Sequence, residues 1–138
     1  FTSSDANTII GYEAGSAGLP AGNTGSTLIG YRTGKALTAG YNTAIGRAAL
    51  ITATTANSTI AIGDSAAQYL AASTAFVGVM AIGGSALGDA NTLDTTANYS
   101  IAIGNAAGNN ASNLAGEFVI IGNNAGQKKS NATYITYM

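Results

Sequence analysis

The stretch Asn42-Thr43-Ala44-Ile45-Gly46-Arg47-Ala48-Ala49 decides how this chain folds, because its central Ile-Gly pair returns along the whole sequence. The pair stands at Ile10-Gly11, Ile29-Gly30, Ile45-Gly46, Ile62-Gly63, Ile82-Gly83, Ile103-Gly104 and Ile121-Gly122. Successive glycines are 19, 16, 17, 20, 21 and 18 residues apart. That spread is too uneven for a coiled coil and suits solenoid coils joined by loops of variable length. Three residues after each Gly comes a small side chain: Ala14, Thr33, Ala49, Ala66, Ala86, Ala107 or Ala125. The residues just before Gly are largely β-branched or small, which reads as a short strand.

Alternation along a strand puts the Ile before Gly on one face with the residue two positions earlier, which is Thr8, Thr27, Thr43, Ile60, Met80, Ile101 or Val119. Stacked about 4.8 Å apart, Ile10, Ile29, Ile45, Ile62, Ile82, Ile103 and Ile121 are expected to form one internal ladder, the core of the fold. Gly11, Gly30, Gly46, Gly63, Gly83, Gly104 and Gly122 are expected to turn the backbone where a positive φ carries no Cβ penalty. The Ala column is expected to face inward where only a methyl fits. These readings give an all-β fold, a parallel β-solenoid (β-roll) of about seven stacked coils over residues 1–126. Residues 127–138 lack the motif, alternate like a strand at Asn131–Met138, and read as a C-terminal cap or connecting strand. One buried Ile contributes roughly 1.5–3 kcal/mol, too little to order a coil by itself, so stability must come from stacking. A coil as thin as the Ala column implies a homo-oligomer sharing one core. Recurrent Gly argues against long helices; Asp64–Ala72 is the best helical candidate and reads equally well as a loop.

Composition narrows the chemistry. Charged residues are 8% of the chain and the net charge is −1, so there is no field to hold a nucleic-acid backbone or an anionic bilayer. With no Cys and no His, disulfides, thiolate metal sites and the usual general base are all absent. The apolar runs are only a few residues long, which excludes membrane insertion by a helix. A start at Phe1 rather than Met is expected of a processed product or of a piece of something longer.

The units Asn7–Gly15, Asn42–Ala49 and Ser58–Ala66 resemble the head repeats of trimeric autotransporter adhesins and the related β-roll repeats of bacteriophage tail fibres. Matching residues run from about Asn7 to Gly126. The resemblance implies a homotrimer displayed outside the cell, on a virion tail fibre or a bacterial surface, and used for attachment to a host-surface glycan or protein. The adhesin repeats are shorter and more even than the units here, which favours the tail-fibre relatives. A structural and adhesive role, with no catalysis and no cofactor, is therefore expected. A self-assembling extracellular filament built from stacked solenoids is the alternative.

Few residues carry chemistry. Gly30-Tyr31-Arg32-Thr33-Gly34-Lys35 looks like a phosphate loop but has three residues between its glycines and Ala36 after the Lys, so it fails the pattern. Among the carboxylates Asp5, Glu13, Asp64, Asp89, Asp94 and Glu117, only Asp89 and Asp94 form a close pair, in a polar linker that reads as solvated turn rather than glycosidase or calcium site. Tyr12 and Tyr31 share the slot after Gly, with Tyr41 nearby, and are the candidate surface-binding residues. Such a strip suits sugar rings, but a rim packed against a neighbouring subunit is the favoured reading, since aromatics are also enriched in oligomer interfaces. In later units the slot holds Asp64, Gly84, Asn105 and Asn123, where stacked Asn side chains could bond to one another. The Thr8, Thr27 and Thr43 column raises an ice-binding reading, set aside here because the column is expected to be internal.

Overall fold

A computed structural model describes residues 6–19, 24–70, 77–89, 98–110, 112–127 and 130–137, the side chains of 112–116 and 130–137 excepted. Among these residues lie eight strands: β1 (Thr8–Ile10), β2 (Thr27–Ile29), β3 (Thr43–Ile45), β4 (Ile60–Ile62), β5 (Met80–Ile82), β6 (Ile101–Ile103), β7 (Ser112–Ile121) and β8 (Ser130–Tyr137). They lie in chain order in one sheet, each parallel to the next. The chain is an all-β, parallel β-solenoid with no helix among the described residues. The helical candidate at Asp64–Ala72 is a turn as far as Tyr69, with Ser65 at φ 56° and Ala67 at φ 50°, conformations no α-helix contains. Ala71 and Ala72 lie outside the described residues.

Register follows the motif without slip. Ile10 pairs with Ile29, Ile29 with Ile45, and so on through Ile62, Ile82, Ile103 and Ile121. The ladder exists, but it is not the core. The expectation that Ile10, Ile29, Ile45, Ile62, Ile82, Ile103 and Ile121 point inward is corrected by their exposure: Ile10 is 59% exposed and Ile121 40%, and none of the seven is buried. The residue before each Ile faces in: Leu28, Ala44, Ala61, Ala81, Ala102 and Ile120 are wholly buried. In a strand of period two, a one-residue choice of parity exchanges the faces completely. The larger side chain marks the outer face here because the interior has room at β3 to β6 only for Ala. Thr8, Thr27 and Thr43 share that outer face and are not internal.

The repeat glycines do what their position requires. Gly63 has φ +135°, and a Cβ there would lie 2.5 Å from the Gly83 carbonyl oxygen in the next unit. Backbone stacks on backbone at this corner, so both the torsion and the close approach demand Gly. The turn beyond it has a second regularity. Positions two and four after every repeat Gly are left-handed: Glu13 and Gly15, Arg32 and Gly34, Ala48 and Leu50, Ser65 and Ala67, Ser85 and Leu87, Ala106 and Gly108, Asn124 and Gly126. A non-Gly residue there costs roughly 1–2 kcal/mol. Stacking compensates. The amide at the second position donates back to the preceding unit, as Arg32 N–H does to Tyr12 O at 2.8 Å, while the amide at the fourth donates forward, as Ala67 N–H does to Ala86 O at 2.8 Å.

The interior lies between the inward residues of the strands and these turns. Ala49, Ala66, Ala86 and Ala107 are fully buried, as the Ala column requires. Bulk comes from Leu37, Leu50, Leu70, Leu87, Val79 and Phe118, which the repeat alignment does not single out. Several polar residues are buried, among them Ser26, Thr33, Asn42, Thr59 and Ser100, and Asn42 makes the widest set of bonds. Asn42 is fully buried; its amide nitrogen donates to the carbonyls of Ala39 (3.0 Å), Gly40 (2.9 Å) and Ala56 (2.8 Å), and its Oδ1 accepts from Thr59 N–H at 3.0 Å. It ties its own loop to the following unit. Toward the C-terminus the short strands give way to two long ones, β7 and β8, with a register shift between Ala115 and Phe118.

Candidate functional site

The first two units place Tyr12 and Tyr31 one above the other. Each follows a repeat Gly, and the backbone holds them in step because Gly30 N–H donates to Ile10 O and Arg32 N–H to Tyr12 O, both at 2.8 Å. A one-coil rise of about 4.8 Å is close to an aromatic stacking distance, so equivalent slots in adjacent coils stack rings without further adjustment. The rings lie with centroids 5.6 Å apart and planes 11° from parallel. Both are exposed, Tyr12 at 66% and Tyr31 at 44%.

Charges surround the pair. The Arg32 guanidinium carbon sits 5.0 Å from the Tyr31 ring centroid, a cation–π contact. Glu13 Oε2 accepts from Arg32 Nε at 2.9 Å and from Lys35 Nζ at 2.8 Å. The Lys35 hydrogen bond holds the Glu13 carboxyl below its usual pKa; desolvation opposes it, and the Arg32 and Lys35 charges add to the lowering. In the next two units the slot after Gly carries Arg47 and Asp64, joined as a fork with Nε to Oδ1 at 2.7 Å and Nη2 to Oδ2 at 2.8 Å. Its hydrogen bond and charge raise the Arg47 pKa further above its usual value. Beside Lys35 opens a shallow groove of about 470 Å³ lined by Ser16, Ala17, Lys35, Ala36, Ile51 and Thr52.

Tyr41 stands elsewhere. It precedes β3 rather than following it, at the opposite end of the strand from Tyr12 and Tyr31, with φ +58° and 61% exposure. A Cβ on Gly25 would come within 3.0 Å of its ring. Tyr99 repeats the arrangement over Gly78. Both tyrosines stand five residues before their repeat Gly, so the equivalence is legible in the spacing. The Glu13–Arg32–Lys35 and Arg47–Asp64 contacts are readable in the same way, as opposite charges in matching or nearby slots of adjacent units.

The remaining candidates are quickly placed. Lys35 is engaged by Glu13, and the amides of Arg32, Gly34 and Ala36 donate to Tyr12, Ala49 and Ile51, so the phosphate-loop lookalike presents no amide cradle. Asp89 is exposed and its N–H donates to Asn109 Oδ1 at 2.9 Å; Asp5 and Asp94 lie outside the described residues. No cluster of three or more potential metal ligands occurs among the described residues. Asn105 and Asn123 are exposed and share no hydrogen bond; amides that link units include Asn42, Asn109, Asn7, which accepts from Ser26 N–H at 2.7 Å, and Asn98, which accepts from Val77 N–H at 2.9 Å.

Fold and surface together define a parallel β-solenoid with an outer Ile ladder and an aromatic, ion-paired strip beside it. No protein-family model, curated protein or solved structure matches the chain. No helix among the described residues is long and apolar enough to cross a membrane.

Proposed function

We propose that this chain is a structural and adhesive element of a bacteriophage tail fibre or bacterial surface adhesin, assembled as a homotrimer outside the cell and mediating attachment to a host surface. One observation carries this reading. The outer face of the sheet is apolar along its whole length from β4 to β7, where Ile60, Met80, Ile101 and Val119 stand beside the Ile ladder. A continuous apolar stripe of this kind marks an interaction surface. Identical rigid copies with the same stripe would cover one another, and closed rotational symmetry satisfies all three copies at once. A stapled shaft of stacked backbone then serves a mechanical role, with no catalysis assigned to it.

Mass determination in solution tests the assembly. A concentration-independent trimer is expected, and Ile82→Asp with Ile103→Asp should reduce it to folded monomer. A parent protein that stays monomeric at all concentrations sinks the reading, whereas growth without limit would make the chain a filament subunit.

A further inference from the structure

Three of the five basic residues of the chain, Arg32, Lys35 and Arg47, occupy one surface strip spanning the second and third units. Against them stand two carboxylates, Glu13 and Asp64, so three positive charges less two negative leave a surplus of one in a chain whose net charge is −1. The surplus lies at Glu13, where one carboxylate oxygen serves two cations. The chain's stacked Tyr12–Tyr31 pair lies at the same place, with Arg32 against Tyr31. Charged groups are depleted from the cores of subunit interfaces, so a strip this rich in ions belongs to solvent or to a polar ligand rather than to the apolar seam between copies.

We infer that Tyr12, Tyr31, Arg32 and Lys35 form a docking site for a carboxylated glycan. The inference rests on the adhesive reading above and names its ligand class. A pyranose ring has an apolar C–H face that covers an exposed tyrosine ring, and the tyrosines lose little side-chain freedom on binding because each is already held by its neighbour. A ring carboxylate takes the place that Glu13 leaves unfilled, accepting charge-assisted hydrogen bonds from Arg32 and Lys35. The groove between Ser16, Ala17, Ala36, Ile51 and Thr52 begins at Lys35 and offers mostly apolar walls to the next sugar of the chain. A neutral sugar would satisfy the tyrosines and leave the surplus charge unanswered.

The test uses the assembled protein on an array of oligosaccharides carrying hexuronic or sialic acids, each beside its carboxyl-reduced and its phosphorylated counterpart. Binding is expected to the carboxylated members, weaker by about tenfold or more after carboxyl reduction, and to fall with rising ionic strength. Lys35→Gln, and separately Tyr12→Ala with Tyr31→Ala, should each weaken it about tenfold while the mass and the circular dichroism of the protein stay unchanged. If the tyrosine variant does not fold, Lys35→Gln alone decides. Equal binding to reduced glycans, a preference for the phosphorylated ones, or no binding to the array overturns the inference. In that event binding of the parent protein to intact cells, undiminished by Lys35→Gln, leaves the adhesive reading standing; loss of cell binding as well defeats both.

Discussion

At the scale of single residues, the solenoid places demands on torsion and on polarity that the repeat only partly announces. Ala66 and Ala67 are both fully buried and adjacent, yet only Ala67 is left-handed. Replacing Ala66 by Gly removes a packed methyl and adds backbone freedom to the unfolded chain, a loss of about 1.5 kcal/mol. Ala67→Gly loses the same methyl but relieves a left-handed Cβ, and the two changes should cancel to within about 0.5 kcal/mol. Denaturant unfolding of the two variants checks the contrast; equal losses would contradict the assigned torsions. Asn42 is the second case. Asn42→Ala would strand the Thr59 amide and the Ala56 carbonyl in the interior, with an expected loss of about 2–4 kcal/mol. Asn42→Asp should fare no better, since a carboxylate has no N–H to donate.

At the scale of elements, three-residue strands with one inward residue make parity the decisive variable. Ala81 and Ala102 are enclosed, whereas Ile82 and Ile103, their immediate neighbours, lie on the outer face. Asp at both Ala81 and Ala102 buries two unpaired charges, which costs several kcal/mol each and should leave the chain unfolded by circular dichroism. Asp at both Ile82 and Ile103 should preserve the β spectrum. Unfolding by the second pair and tolerance of the first would reverse the two faces. The Ile-Gly column made the strands, the turn glycines and their order legible in the sequence. It did not make the inward face legible, because the ladder of larger apolar side chains suggested a core that Leu28, Ile120 and a run of alanines in fact supply. The bulky core residues Leu37, Leu50, Leu70 and Leu87 were hidden for another reason. Leu50 and Leu87 hold the fourth position after their repeat Gly and Leu37 and Leu70 the seventh, but Gly or Ala fills those positions in most other units, so neither column stands out as apolar.

For the molecule as a whole, the slot after the repeat Gly changes character along the axis, from aromatic and ion-paired in the first four units (Tyr12, Tyr31, Arg47, Asp64) to small and amide in the rest (Gly84, Asn105, Asn123). Glu13 gives this gradient a pH dependence. Its folded pKa is lowered, chiefly by Lys35, so its contribution to stability is complete above the unfolded carboxylate pKa and is lost as pH falls through the lower folded value. Melting temperature against pH should therefore show an acid limb that becomes shallower in Glu13→Gln. An identical limb in that variant would show that the Arg32 and Lys35 contacts do not persist in solution. The effect is small by nature, because Glu13, Arg32 and Lys35 all retain solvent contact.

The sequence by itself determined that this protein is a stack: seven Ile-Gly units at intervals of 16 to 21 residues admit one parallel order, and without Cys or His the chain has no disulfide, thiolate ligand or imidazole. The candidate site was half legible, since the slot after Gly already paired Tyr12 with Tyr31. Only the tertiary structure decided which face of each strand is the interior, separated Tyr41 from the pair, and joined Glu13 to Arg32 and Lys35. The physical reason is the same in each case. Periodicity records which residues are equivalent, but the direction in which a side chain leaves the backbone depends on a strand parity and on left-handed turn torsions that period alone does not carry.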